Sequence, residues 1–515
     1  MRVSTLDNSM GYVKRTALVA AALAAVLAAP AQAGEVIEVD GDHARRVFDP
    51  AVPTRAEIAL TVPGGRRAAT AAASGVTAHA STKRGRRAVY RTLRRERRRR
   101  HISKRDYRRW RTTYVRSIRT LRRLRGARAT QLRYVLTSVE SLALRRRLGA
   151  TRMPVAFLQL ERNRQYWPRK PYPAPGDQVS FRGSEILFQY FAGEGLQLHP
   201  LSTFKKANHL HGFCESGSPD CDEAALRRIL DEMTDLAVKR GRGFIAWEYL
   251  FWFGGGTPPW MSGMAQATGI QALGRAATLL GEPAYAETAR RALGAFGARP
   301  PIGVRTTGPR GGTHYLQYSF APRLYIFNAF LQSLIGLYDF DRVVGDERAL
   351  RMFERAEPEA RREVPLSDVG DWSLYNYAGH ESNHDYHELL REFLQSMCIR
   401  RLGDLYCEYA RKYRGYQVDP PEVTYEGPVT ATEDKPAALR FNVSKLSAVQ
   451  VTVSRPDGHV VFDRLSTFRR GSGAFTWTPR GPSTFSVRVA AKELRTGLGK
   501  RDSETSEILV ENRPG

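Results

Sequence analysis

Several segments of this 515-residue chain set aromatic rings beside amides, carboxylates and imidazoles. They are Trp247-Glu248-Tyr249, the run from Pro258 to Gln266 that contains Trp260, and the run from His314 to Phe320 that contains Gln317 and Tyr318. Asp371 to Tyr377, with Tyr375, and Asp385-Tyr386-His387 complete the set. Rings stack on the apolar faces of pyranose sugars while amides and carboxylates take their hydroxyls, so loops of this composition are the material of a carbohydrate cleft. Glu248, Trp260, Gln266, Gln317 and His387 are accordingly expected to contact substrate.

Other chemistries find no support. No phosphate-binding glycine loop, nucleophile elbow or zincin motif is present, and Gly254-Gly255-Gly256 runs into Thr-Pro-Pro, which cannot open a helix as a phosphate loop does. His380, His384 and His387 recur at ligand-like spacing for one helix face. They are expected to contact or tune a substrate, and no metal or other cofactor is expected.

The elements that must hold these loops are legible from periodicity. Residues 151–418 begin with strand-like runs at 184–191 and 195–199. Helical patterns follow at Asp222 to Val238, Met264 to Leu280, Pro283 to Phe296, Tyr325 to Tyr338, Glu347 to Ala360 and Tyr386 to Leu402. Paired helices with functional loops between them predict an α/α toroid with a small β part. Beyond Pro420-Pro421 the apolar period becomes two, as in Leu439-Phe441-Val443 and Val449-Val451-Val453. Residues 419–515 are therefore predicted to form an immunoglobulin-like β-sandwich, with a hairpin at Pro456-Asp457-Gly458. The predicted fold class is multidomain α+β.

The formal charge of +28 is local. Residues 81–150 hold 26 Lys/Arg against Glu96, Asp106 and Glu140, a net of +23. Tyr107, Trp110, Tyr114, Ile118 and Leu121 form one helical stripe there, Leu132, Leu136, Val139 and Leu142 another, and Ser103 is a predicted N-cap. An arginine-coated helical hairpin or small bundle is expected to bind a polyanion.

Lys14-Arg15, the apolar run Thr16 to Ala29 and Ala31-Gln32-Ala33 read as a signal peptide over residues 1–33, cleaved after Ala33. No later apolar run reaches the ~18 residues of a membrane span. Residues 34–80, rich in Ala, Gly and Thr, are expected to be a flexible leader. Export makes two local disulfides the expected pairing, Cys214 with Cys221 and Cys398 with Cys407. For an exported protein an acidic polysaccharide is a more natural polyanionic partner than nucleic acid.

The segments Pro259 to Ala276, Phe327 to Asp339, Leu374-Tyr375 and Asp385-Tyr386-His387 together resemble, in that order, the C-terminal domain of D-glucuronyl C5-epimerases, over roughly residues 180–410. In that family a hexuronate within a polymer loses its C5 proton and regains one on the opposite face. The resemblance implies that Tyr318, Tyr375 and Tyr386 are the functional tyrosines, with His387 tuning Tyr386. It implies an enzyme that turns glucuronate into its C5 epimer within an acidic polysaccharide, and the signal peptide implies that this enzyme is exported. The alternatives are a non-catalytic polyuronate-binding protein and a polysaccharide lyase. The family's glutamate before the first tyrosine is Gln317 here, and its arginine after the second is absent from Asn376-Tyr-Ala-Gly-His380. An amide does not exchange protons at useful rates. Either Tyr375 and Tyr386 serve both faces of the sugar, or Glu248 or Glu381 reaches in, or the uronate is bound without being turned over.

Overall fold

The computed structural model describes residues 34–58, 82–241 and 243–513. The expected signal sequence and residues 59–81, which make up about half of the expected leader, lie outside them. The chain divides into two compact units: Met1–Tyr325 with Gln332–Pro358, and Ile326–Leu331 with Glu359–Gly515.

The first unit opens with two strands, β1 (Gly34–Asp40) and β2 (His43–Asp49). β1 runs parallel to β3 (Gln178–Phe181), which continues antiparallel into β4 (Ser184–Phe191) and β5 (Gly195–Leu198). Residues 34–58 are thus not a flexible leader. Val36 and Val52 pack with Leu187, and the buried Asp177 pairs with Arg55 and, at 2.6 Å, with Arg46. The low-complexity composition of the whole window had hidden a strand pair whose further partner, β3, lies far along the chain.

The arginine-rich region forms α1 (Lys83–Arg98), α2 (Lys104–Arg123) and α3 (Gly126–Leu144). Thr82 caps α1, and Ser103 caps α2 by accepting from the Asp106 amide, as the sequence predicts. Trp110, Tyr114, Leu132, Leu136, Val139 and Leu142 are buried. Trp110 stacks on Phe157 of α4 (Met153–Tyr166), ring centroids 5.7 Å apart. The Tyr134 hydroxyl accepts from the Trp252 amide at 2.9 Å. The bundle therefore shares its core with the remainder of the first unit, and the boundary drawn at residue 150 marks a change of surface composition instead of a change of fold.

Next come α5 (Pro200–Glu215) and α6 (Glu223–Asp235), with Cys214–Cys221 tying the last turn of α5 to the loop before α6. Two-stranded ribbons come after them: β6 (Val238–Arg240) with β7 (Phe244–Ala246), and β8 (Glu248–Tyr249) with β9 (Trp260–Met261). α7 (Gly263–Leu279) is buried along most of its length. Its Gly269 lies where a Cβ would stand 2.6 Å from the Phe204 ring, so the close approach of α5 requires glycine there. α8 (Pro283–Ala292), the ribbon of β10 (Arg305–Thr307) and β11 (Thr313–Tyr315), α9 (Phe327–Val344) and α10 (Glu347–Glu363) complete the series.

The second unit contains α11 (His384–Ile399) and α12 (Asp404–Val418), joined by Cys398–Cys407. Both expected disulfides are present. The chain then forms β12 (Val423–Gly427), β13 (Thr430–Thr432), β14 (Ala437–Val443), β15 (Ser447–Ser454), β16 (Val460–Phe468), β17 (Gly471–Trp477), β18 (Ser483–Glu493) and β19 (Arg501–Glu511). They make a three-stranded sheet, β12-β14-β17, and a five-stranded sheet, β13-β19-β18-β15-β16. Leu439, Phe441 and Val443 of the first sheet share one core with Val451, Val487 and Ile508 of the second. The Lys445 ammonium donates to the carbonyls of Tyr416 and Asp419 at 3.0 and 2.6 Å, fastening the sheets to the end of α12. Among the described residues no helix is long and apolar enough to cross a membrane.

Candidate functional site

In the first unit the loop carrying Gln317 and Tyr318 is laced to the start of α7. Ser262 caps that helix, and its hydroxyl lies 3.3 Å from Gln317 Oε1. The Gly263 amide donates to the carbonyls of Leu316 and Gln317, and the Ser319 amide to that of Met261. A side chain at 263 would put its Cβ 2.4 Å from the Leu316 oxygen, so the register depends on glycine. The Tyr318 ring stacks on Phe320 at 5.3 Å and meets Trp260 edge-on at 5.7 Å.

The neighbouring candidates serve this scaffold. Trp260 is buried, stacked on Tyr249 at 4.2 Å, with its Nε1 donating to the Phe251 carbonyl. Gln266 clasps the backbone of Trp247 from both ends of its amide, donating to the carbonyl at 3.0 Å and accepting from the N–H at 3.4 Å. Glu248 is buried between two guanidiniums, 2.9 Å from Arg152 Nη2 and 2.5 Å from Arg240 Nη1. The expectation that Trp260, Gln266 and Glu248 face substrate gives way to a packing role. A polar group satisfied inside a core has the same sequence spacing as one aimed into a cleft.

A cavity of about 320 Å³ lies beside this loop, lined by Arg299, Arg305, Thr306, Thr307, Ser319 and Phe320. Phe320 is shared: its ring stacks on Tyr318 and also lines the cavity. Arg305 Nε is buried without a hydrogen-bond partner. Two guanidiniums, two threonines and a ring suit a sugar that bears a carboxylate. Sequence reasoning passed over Arg299 and Arg305, since a lone arginine on a chain of this charge carries no signal of its own.

Glu194, in the turn between β4 and β5, was also missed. Its Oε2 is buried without a hydrogen-bond partner, and burial pushes the carboxyl up to about 8.

In the second unit Tyr375 and Tyr386 touch, with ring centroids 4.7 Å apart. Asn383 caps α11 by accepting from the Tyr386 amide at 2.9 Å, which fixes Tyr386 in the first turn. The Tyr375 amide donates to the His380 carbonyl at 2.7 Å, and Asn328 Nδ2 donates to the Tyr386 carbonyl. Rings in contact leave no room for a pyranose between them, so this arrangement does not place the two tyrosines on opposite faces of one sugar.

His387 turns the other way. Its ring lies flat on Trp372, centroids 3.6 Å apart. Nε2 faces the Tyr413 carbonyl at 3.0 Å and Nδ1 the Ser373 hydroxyl at 2.8 Å. A carbonyl only accepts, so Nε2 carries the hydrogen and Nδ1 accepts from Ser373. Burial pushes the imidazole down to about 4, and the ring is neutral. With both nitrogens occupied, His387 braces the fold and has no free nitrogen for a ligand, contrary to the substrate contact expected of it. The cap at Asn383 also leaves His380 outside the helix of His384 and His387, and His380 Nδ1 instead meets Asn376 Oδ1 at 3.0 Å. Among the described residues no cluster of His, Cys, Asp or Glu could hold a metal ion. Glu381 is committed as well: burial pushes its carboxyl up, but Arg495 at 3.0 Å and Arg469 at 2.6 Å outweigh this and hold it below the ordinary range.

Residues 241–415 match the family described as D-glucuronyl C5-epimerase C-terminus. The match supports the resemblance over this segment. A D-glucuronyl C5-epimerase of Caenorhabditis elegans is 30% identical over 131 residues, covering 23% of this chain and 21% of that protein. An uncharacterized protein of Methanocaldococcus jannaschii is 27% identical over 192 residues, covering 36% of this chain and 62% of its own length. The chain thus spans about three fifths of one curated relative and about a fifth of the other. Among solved structures, an endo-β-1,4-glucanase from Acetobacter xylinum aligns with 41% of this chain and 67% of its own at 14% identity, with a TM-score of 0.30. A score that low carries no argument about fold. The epimerase-family segment includes Tyr318, Tyr375, Tyr386 and the arginine-lined cavity, whereas Glu194 and α1 to α3 lie outside it.

Proposed function

We propose that the chain epimerises hexuronate residues at C5 within an acidic polysaccharide. The observation that supports this most is the cavity holding Arg299 and Arg305 beside Tyr318, inside an epimerase-family segment. A proton next to a carboxylate is only weakly acidic, so removing it requires the carboxylate to be neutralised and the enediolate-like state to be stabilised. Two guanidiniums supply that charge. Tyr318, Tyr375 and Tyr386 are the proposed proton-transfer groups, by resemblance to the family. Gln317 cannot act as the acid, and Glu248 and Glu381 are held by arginines.

In this reading the chain is exported, with cleavage after Ala33, and its two disulfides suit an oxidising compartment. The helix pairs are read as an α/α toroid and the two C-terminal sheets as an immunoglobulin-like sandwich. Gln317 favours a second reading, a protein that binds polyuronate without turning it over. Incubation with uronate polymers in deuterated water separates the two. Deuterium at C5 in an intact chain supports epimerisation, and binding without exchange supports the second reading. Chain shortening with an unsaturated, ultraviolet-absorbing product would indicate a lyase.

A further inference from the structure

α1 to α3 enclose a pocket of about 580 Å³ with an unusual lining. Arg86, Arg122, Arg125 and Arg133 stand around it, and Ile118 and Leu121 contribute an apolar floor. Ile118 and Leu121 are only half-buried, although they continue the stripe that buries Trp110 and Tyr114.

The few acids of this region are largely engaged away from Arg122, Arg125 and Arg133. Glu96 is held by Arg95 at 2.8 Å and His101 at 2.9 Å, and Asp106 by Arg109 at 3.0 Å. Glu140 is buried and accepts from the Tyr114 hydroxyl at 2.6 Å. Among the described residues none of Arg122, Arg125 and Arg133 pairs with a carboxylate. Arg125 is also held in place, because its Nη1 donates to the carbonyls of Arg122 at 2.9 Å and Leu124 at 3.1 Å. The three guanidiniums of Arg122, Arg125 and Arg133, beside one cavity without a carboxylate partner, repel one another, and an anion relieves that repulsion.

We infer that this pocket is a binding site for a pyranuronate unit of an acidic polysaccharide. Its carboxylate is taken by the guanidiniums and its C–H face by Ile118 and Leu121. A phosphodiester backbone would use the arginines and leave the apolar floor uncovered. A uronate uses both halves of the lining. The inference rests on the proposal that an acidic polysaccharide is the chain's partner. It adds to that proposal a discrete site in place of a diffuse positive surface.

The test compares two triple variants of equal charge on the full chain. Arg122→Gln/Arg125→Gln/Arg133→Gln removes the pocket's cations. Arg98→Gln/Arg108→Gln/Arg111→Gln removes the same charge from exposed positions elsewhere on α1 and α2. Binding of a glucuronate oligosaccharide of defined length is measured by calorimetry, with a neutral oligosaccharide and vesicles of anionic lipid as further probes, and C5 deuterium exchange is followed in parallel. The pocket variant is expected to lose at least ~10-fold more affinity than the control, as befits lost charge-assisted hydrogen bonds. Equal losses would overturn the pocket in favour of a diffuse field. Loss confined to lipid vesicles would overturn the choice of ligand. If the wild type shows no exchange, the epimerase proposal fails, and a selective binding loss still upholds the pocket.

Discussion

Tyr375 and Tyr386 pack ring against ring, their centroids 4.7 Å apart and their planes inclined at 49°. Replacing either with Phe keeps that contact and removes one hydroxyl. Each variant is expected to lose ~100- to ~10,000-fold in C5 exchange while holding its affinity within a few fold. Thermal denaturation should change little. Wild-type exchange from both variants would remove these tyrosines from the proposed chemistry.

Glu194 gives a pH signature. Its folded pKa of about 8 stands above the unfolded value of about 4.3, so between them the folded state binds more protons. Its contribution to stability is therefore full below the unfolded value and is lost as pH rises toward 8. Glu194→Gln cannot ionise, so its stability relative to wild type should grow from pH 5 to pH 8 and then level off. Denaturation midpoints across this range test it, and parallel profiles would contradict the assignment.

Glu248, enclosed by Arg152 and Arg240, is predicted to matter for stability first. Glu248→Gln leaves two largely buried guanidiniums without a counter-charge, at a cost of about 3–5 kcal/mol. A normal denaturation midpoint combined with lost exchange would instead make Glu248 a substrate residue.

Removing residues 82–150 should not yield a tidy truncated protein. Trp110 on Phe157 and Tyr134 against Trp252 tie those helices to the rest of the first unit. The deleted chain is expected to lose cooperative unfolding and become protease-sensitive, whereas charge-removing arginine variants should stay folded. Limited proteolysis separates the two outcomes.

The sequence alone determined what depends on neighbours along the chain. The Ser103 cap, the stripes of α2 and α3, the period-two strands after Val423 and both disulfides are fixed within a few residues, where helix and strand geometry leave little choice. Tertiary structure decided which polar groups found partners. Trp260, Gln266, Glu248 and His387 shared one sequence signature with residues of an open cleft, and all four were drawn into the core. Arg299 and Arg305, without a motif, came to rest beside the loop of Tyr318. β1, besides its neighbour β2, found a partner in β3, far along the chain. Spacing reports which face a side chain shares with its neighbours. The groups opposite that face are set by distant parts of the chain, and they alone determine whether a carboxylate meets an arginine, as Glu248 does, or stays without a hydrogen-bond partner at one oxygen, as Glu194 does.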